Sequence, residues 1–265
     1  MTLRSTILLL LTASIISCSI KEERSECPCR LTIDLSDASE VFGPASVYIW
    51  ERTKLLCSET IPITGRSASF VKDVTKCRLE VSAIQGLTDS RIVGRNVIIP
   101  YGHDADRLMV YGNEILCDKE QIIEKATLVK NWTTLTIEYS NQEGKEYPYD
   151  FIVTGDIQGF DIYSTTPVAG KFQCKAKKLS TWHTGTSVDL PRQFANGEGL
   201  ELTLLSKKTG KEEIKYNLSD IINQTGFRWD STNLNDIRIY INYAGLMAGI
   251  KITDWENGAD ISVII

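Results

Sequence analysis

The stretch "LTIDLS" at Leu31–Ser36 returns as "LTIEYS" at Leu135–Ser140, 104 residues later. In the first copy Leu31, Ile33 and Leu35 alternate with Thr32 and Asp34. In the second, Leu135, Ile137 and Tyr139 alternate with Thr136 and Glu138. Successive side chains of a strand point to opposite faces, so period two describes a strand with one face in a core and the other in water. A helix would need apolar residues three and four apart. Each copy therefore predicts a half-buried strand, and the pair predicts an architecture that occurs twice.

Other segments repeat in the same order. "VYIW" (Val47–Trp50) faces "FIVT" (Phe151–Thr154) at the same offset. "TIPITGR" (Thr60–Arg66) returns as "TTPVAGK" (Thr165–Lys171). "LEVSA" (Leu79–Ala83) returns as "LELTL" (Leu200–Leu204), and "VGRNV" (Val93–Val97) as "IKYNL" (Ile214–Leu218). The offset grows once, near "HTGTSVDLPRQFANGEG", as one insertion would make it. Most remaining segments, among them "CRLEVSAI", "RLMVYG", "IRIYINY" and "DISVII", also alternate and are bounded by Gly, Pro, Asn or Asp. Helical periodicity is scarce. "CDKEQIIEKA" (Cys117–Ala126) predicts one helix with Asp118 as its cap, and "NLSDIIN" (Asn217–Asn223) one short helical turn.

Each half holds about seven strands, enough for two packed antiparallel sheets with Greek-key connections. The expectation is an all-β chain of two tandem β-sandwich domains, residues 27–125 and 126–265, joined near "DKEQIIEKA".

The start of the chain reads differently. Arg4, the apolar run Ile7–Ile16 and then Ser17-Cys18 match a secretory signal, too short to span a membrane. "IISC" (Ile15–Cys18) resembles a bacterial lipobox, in which Cys18 is lipidated and residues 1–17 are removed. Buried acyl methylenes contribute about 0.8 kcal/mol each, so several chains on one cysteine anchor without spanning. Residues 18–26 then form a polar, lipidated tether, and its Lys21-Glu22-Glu23 resembles the short acidic signal that sends Bacteroidetes lipoproteins to the outside of the outer membrane.

The chain has 265 residues, 29 basic and 34 acidic side chains, and 42% apolar residues. Mild acidity without a basic patch excludes a nucleic-acid binder. Beyond Cys18 there are six cysteines, Cys27, Cys29, Cys57, Cys77, Cys117 and Cys174, all candidates for disulfides in an exported chain, with connectivity left open. They can equally be buried free thiols. Cys27 and Cys29 share the parity of Leu31, so a strand reaching back that far would turn both inward to fasten its start.

No catalytic residue, metal ligand or cofactor site is assigned. His103 stands beside Asp104 and Asp106 in "PYGHDAD", a composition that suits a turn. His183 has no nearby partner. No nucleophile elbow, P-loop, zinc helix or calcium loop is present. Trp182, in a loop rich in Gly, Thr and Ser, could stack on a sugar.

Three stretches together resemble a known family. "CPCRLTIDL" (Cys27–Leu35) after a lipobox, "YDFIVTGDIQGFDIYSTTPVAGKF" (Tyr149–Phe172) and "LNDIRIYINYAGLMAGIKITDW" (Leu234–Trp255) are similar, in that order, to the FimB-type fimbrial anchor lipoproteins of Bacteroidetes type V pili. The resemblance implies two transthyretin-like sandwiches, a place at the outer membrane facing the cell surface, fimbrial pilins as partners through β-strand pairing, and control of fimbrial length. The alternative is a surface lipoprotein that binds glycans, which would expose an aromatic platform. Replacing Cys18→Ala is expected to abolish acyl labelling and release the protein from the membrane fraction, read by labelled-lipid incorporation and fractionation.

Overall fold

The structure, a computed structural model, describes residues 27–140, 145–179, 185–242, 247–253 and 260–263. Cys18, Trp182, His183 and Trp255 lie outside them. Among the described residues no helix is long and apolar enough to cross a membrane.

Four sheets account for nearly all of the architecture. In the first, β1 (Cys29–Asp34) is central, antiparallel to β4 (Ser69–Val74) and parallel to β9 (Gln121–Lys125). The second runs in the order β10 (Val129–Lys130), β8 (Met109–Leu116), β5 (Arg78–Gln85), β2 (Ala45–Glu51), β3 (Lys54–Ile61). The third repeats the first. Its β11 (Trp132–Tyr139) is antiparallel to β15 (Gly185–Pro191) and parallel to β18 (Asp236–Ile241). This sheet also gains β14 (Lys177–Lys178) beyond β15, and β19 (Met247–Thr253) then β20 (Asp260–Val263) beyond β18. The fourth repeats the second, with β17 (Glu212–Asn217), β16 (Glu201–Ser206), β12 (Tyr149–Asp161) and β13 (Pro167–Lys175) as neighbours. It also takes in a hairpin, β6 (Arg91–Val93) and β7 (Asn96–Ile98).

Alternation is what fills each core. Leu31, Ile33 and Leu35 are fully buried against Val47, Ile49, Val81 and Ala83 of the facing sheet. Leu135 and Ile137 meet Phe151, Val153, Leu202, Leu204, Ile237 and Ile239 in the second core, with Tyr139 half-buried at its margin. A fully buried Leu or Ile contributes about 1.5–3 kcal/mol, so a one-residue slip of β1 would forfeit three such side chains at once.

The all-β, two-sheet packing expected from the sequence is observed, and three of the five repeated segments fall on equivalent strands: β1 with β11, β2 with β12, β5 with β16. Two do not. "TIPITGR" leaves the end of β3, whereas "TTPVAGK" enters the start of β13. "VGRNV" is the β6–β7 hairpin, while the counterpart of β17 is β8. "NLSDIIN" does form a helix, α1 (Leu218–Gln224), with Asn217 accepting from the Asp220 N–H as its cap. "CDKEQIIEKA" does not. Its residues Gln121–Lys125 form β9, because β1 offers an unpaired ladder side and a five-pair ladder outweighs the weak helical preference of Glu, Lys and Gln.

The two sandwiches interlock. Strand β12 is thirteen residues long, and its last residues pair with β7 from the first half of the chain. Val97, Phe160 and Ile162 cover Trp50, Ile84 and Val110 on the outer face of the second sheet. Arg95 fastens the seam: it pairs with Glu80 at 2.5 Å and Asp161 at 3.4 Å and lies over the Trp50 and Tyr163 rings. The approach needs bare backbone. A Cβ on Gly159 would fall 1.8 Å from the Val97 carbonyl oxygen, and one on Gly112 1.9 Å from that of Tyr163. Gly159→Ala is therefore expected to lower unfolding free energy by about 2–3 kcal/mol, read as a lower urea midpoint.

Candidate functional site

The feature that sets the first sandwich apart is an unpaired edge. In the second sandwich β18 is covered by β19, which runs antiparallel to it from Asp236↔Thr253 to Ile241↔Met247. Its counterpart β9 ends the three-stranded sheet, and no described strand continues beyond it. Arg30 N–H donates to the Glu120 carbonyl at 2.8 Å and Ala126 N–H to the Asp34 carbonyl at 2.9 Å. Alternation along a parallel ladder then turns Glu120, Ile122 and Glu124 toward β1, and directs the N–H and C=O of Gln121, Ile123 and Lys125 outward.

Side chains on this edge are divided. Ile122 and Glu124 face inward; Ile122 packs on the core, and Glu124 accepts from Tyr111 Oη at 2.5 Å and Asn113 Nδ2 at 2.7 Å. Ile123 faces out and is 65% exposed. The register places it beside Thr32 and, across β1, Val71, itself 44% exposed. An apolar row thus crosses the outer face, flanked by polar rows Asp73–Arg30–Gln121 and Ser69–Asp34–Lys125. The arrangement can extend a sheet by one more strand, with backbone bonds giving affinity and Ile123 giving register.

A second candidate is a cleft of about 580 Å³ where the sandwiches meet, lined by Val41, Phe42, Trp132 and five aspartates. Its charges are largely paired internally. Arg107 binds Asp189 at 2.8 Å, Lys177 binds Asp104 at 2.6 Å, and the fully buried Lys130 binds Asp236 at 2.6 Å. Burial pushes the Lys130 ammonium down from its usual range, and Asp236 opposes the shift. Among the described residues no cation pairs with Asp106. Burial would raise its carboxyl, but the Thr88 hydroxyl and the backbone N–H groups of Thr88, Asp89 and Ser90 outweigh this together, and its pKa falls. The cleft reads as a polar joint between the two sandwiches.

His103, Asp104 and Asp106 do not converge: His103 approaches Asp89 at 3.7 Å, and the two aspartates have the partners just given. Trp50, Trp132 and Trp229 are buried, so none of these three offers a platform to a sugar. None of the six cysteines after Cys18 is joined to another in this structure. Cys29, Cys117 and Cys174 are buried, Cys57 and Cys77 half-buried, and Cys27 precedes β1 and is exposed instead of facing the core. The edge strand itself escaped the sequence reading because its two adjacent isoleucines hide the alternation.

The fold, two β-sandwiches in tandem, is shared with solved proteins from Bacteroides and Porphyromonas. A candidate polysaccharide-binding protein from Bacteroides thetaiotaomicron superposes with a TM-score of 0.66 at 12% identity, over 89% of this chain and 98% of that one. The fimbrial anchor protein Mfa2 from Porphyromonas gingivalis gives 0.64 at 14% identity, over 89% and 99%. A candidate adhesin from Bacteroides ovatus gives 0.60 at 11%, over 90% and 96%. No protein-family model and no curated protein sequence matches the chain. At these identities the likeness is one of fold.

The Asp106 arrangement generates a pH prediction. Its folded pKa is depressed, so the stability it confers is present above the unfolded carboxyl value, about 3.9, and is lost as pH falls through the folded one. Asp106→Asn is expected to destabilise by about 2 kcal/mol at neutral pH and less in acid, read by urea denaturation at pH 7 and pH 3.

Proposed function

We propose that this protein is a non-enzymatic fimbrial anchor: a lipoprotein held by lipid on Cys18 in the outer membrane, facing the cell surface, and joined to the basal pilin by a strand that the pilin adds antiparallel to β9. On this reading it also limits fimbrial length. The observation that carries the proposal is the open β9 edge, in a sandwich whose twin closes the same position with β19. The fold shared with Mfa2, a fimbrial anchor, supports it, as do the lipobox and the ordered resemblance to FimB-type anchors. The units 27–125 and 126–265 then have separate tasks, the first receiving the pilin and the second bracing it through β6, β7 and β12.

The rival reading, a glycan-binding surface lipoprotein, draws on the candidate polysaccharide-binding relative. The burial of Trp50, Trp132 and Trp229 speaks against it for the described residues.

Two substitutions separate pairing from folding. Ile123→Pro removes an outward donor and leaves the β1 ladder whole, so the protein should fold with an unchanged urea midpoint to within about 1 kcal/mol but lose pilin binding by at least about tenfold. Ile122→Pro breaks a bond to β1 and should destabilise by about 3 kcal/mol. A deletion strain should shed its fimbriae into the medium, seen by electron microscopy. Cell-bound fimbriae of normal length, with growth lost on one polysaccharide, would reverse the order of the two readings.

A further inference from the structure

Arg192 follows β15 and is only 7% exposed. Its five N–H groups meet five oxygens, none of them charged. They are the Asn131 side chain at 2.6 Å and the carbonyls of Trp229, Ser231, Thr232 and Lys130 at 2.6, 2.7, 3.1 and 3.5 Å. A buried cation is ordinarily met by a carboxylate. Asp230, in the same loop, is exposed and held by Arg228 at 3.0 Å. Arg192 also lines a pocket of about 290 Å³ at the seam, which Tyr111 and Thr127 of the first sandwich share with Thr165, Ser231 and Thr232 of the second. The hydroxyls of Thr127, Thr165, Ser231 and Thr232 make no hydrogen bond to another described residue. With Asp230 matched by Arg228, the pocket wall carries one uncompensated positive charge and four uncommitted hydroxyls.

The pocket lies where β9 ends. Tyr111, in its wall, donates its hydroxyl to Glu124 of β9 at 2.5 Å. Thr127 stands two residues past Lys125, and between them the Ala126 N–H continues the ladder by donating to the Asp34 carbonyl at 2.9 Å. A strand added antiparallel to β9 runs the opposite way, so the residues ahead of the one facing Lys125 pass Ala126 and then Thr127. At about 3.3 Å per residue, the second of them stands about 7 Å further on, beside the pocket. We propose that this pocket receives a carboxylate from the partner strand, an Asp or Glu two positions ahead of the residue that faces Lys125. The proposal rests on the reading of β9 as the receiving edge.

Charge and chemistry select a carboxylate over other occupants. It supplies the counter-charge that Arg192 lacks, and its oxygens accept from the hydroxyls of the wall. Hydrogen bonds to an ionised acceptor are roughly twice as strong as neutral ones. A lysine or arginine would meet Arg192 as a like charge. A sugar ring would want a free aromatic face and a free carboxylate, but Tyr163 carries the Arg95 guanidinium at 5.1 Å and Asp230 is held by Arg228. The wall is also stiff. Asp161 accepts from the N–H groups of Tyr163 and Ser164 at 3.0 and 2.8 Å, and Thr165 is held at φ 57°, where a β-branched residue is rare. Strain of this kind persists where neighbours over-determine it, and it gathers at binding sites. Any strand can make the backbone bonds of β9. One acidic side chain adds a second mark of identity to the apolar row of Thr32, Val71 and Ile123.

The test uses the purified full chain in detergent and two heptapeptides with blocked termini, Glu-Gly-Thr-Thr-Val-Thr-Thr and its twin beginning with Gln, titrated by NMR. The Glu peptide is expected to bind about tenfold more tightly than the Gln peptide. Thr232→Trp fills the pocket but keeps the carbonyl that Arg192 uses, and should erase that difference at an unchanged urea midpoint. Thr127→Trp, on the opposite wall, is the second filling variant and should do the same. Ile123→Pro should abolish binding of both peptides. Acetate, with acetamide as its neutral control, should move the Arg192 Nε–H resonance. Equal binding of the two peptides, both lost in Ile123→Pro, overturns the pocket and leaves the edge standing. A Glu preference that survives both filling variants also overturns the pocket. Glu-peptide binding that survives Ile123→Pro, or an acetate response with neither peptide bound, sinks the β9 reading and keeps the carboxylate site. Neither peptide binding nor an acetate response overturns both.

Discussion

In both sandwiches the first strand lies parallel to one that returns late in the chain: β1 to β9, β11 to β18. Parallel neighbours cannot be joined by a hairpin, so the intervening chain must cross to a second sheet and return. That constraint produces the two-layer form, because β2, β3, β5 and β8 have to be laid down on the facing sheet before β9 can come back beside β1. It also leaves the returning strand with one unpaired side. After β18 the chain turns back as β19 and covers that side. After β9 it cannot, because the few residues before β11 are used by β10, which pairs with β8 and delivers the chain to the second sandwich. Among the described residues, the open edge is thus a consequence of linking the sandwiches in tandem.

Legibility in the sequence follows burial. β1, β11, β2 and β16 were readable because one face is in a core and the other in water, so period two is written into the residues. β9 was not, because only Ile122 and Glu124 face inward and Glu124 does so as a hydrogen-bond acceptor for Tyr111 and Asn113. A strand that buries a carboxylate carries no apolar alternation, and its ladder comes from β1, distant in sequence (Arg30 opposite Gln121). The β6–β7 hairpin was legible as strands but not in its place, since joining the fourth sheet depends on Gly159 and on the length of β12, neither of which shows in a local pattern.

The joint between sandwiches is built from polar and charged groups, many of them paired. Arg192 is an example: buried and without a carboxylate in contact, it donates to the Asn131 side chain at 2.6 Å and to the carbonyls of Trp229, Ser231 and Thr232 at 2.6, 2.7 and 3.1 Å. Burial lowers its pKa to about 10, so it stays charged at neutral pH. Removing one partner from such a network leaves another buried group unpaired, which costs more than the bond itself contributes. The two halves are tied together by the Val97–Phe160 cluster and the Arg95 pairs, while the Arg192 network holds the second sandwich beside that seam.

An edge competent to pair must also avoid pairing with its own copies. Long, flat, apolar edges aggregate, and natural proteins blunt them with short strands and charged residues. β9 has five residues, and its outward backbone groups belong to Gln121, Ile123 and Lys125, one apolar position between two polar ones. Two copies of this chain meeting edge to edge in antiparallel register about Ile123 would set Gln121 of one against Lys125 of the other, a pairing that neither repels nor binds strongly. Five residues also offer few ladder bonds, each contributing about 0.5–1.5 kcal/mol net, too little to offset the entropy of association alone. A partner strand that also covers the Thr32–Val71 row adjoining Ile123 gains apolar area that a second copy of β9 cannot offer. On the strand-addition proposal, specificity for a foreign strand therefore lies in the outer face of the sheet, and the edge supplies direction and register.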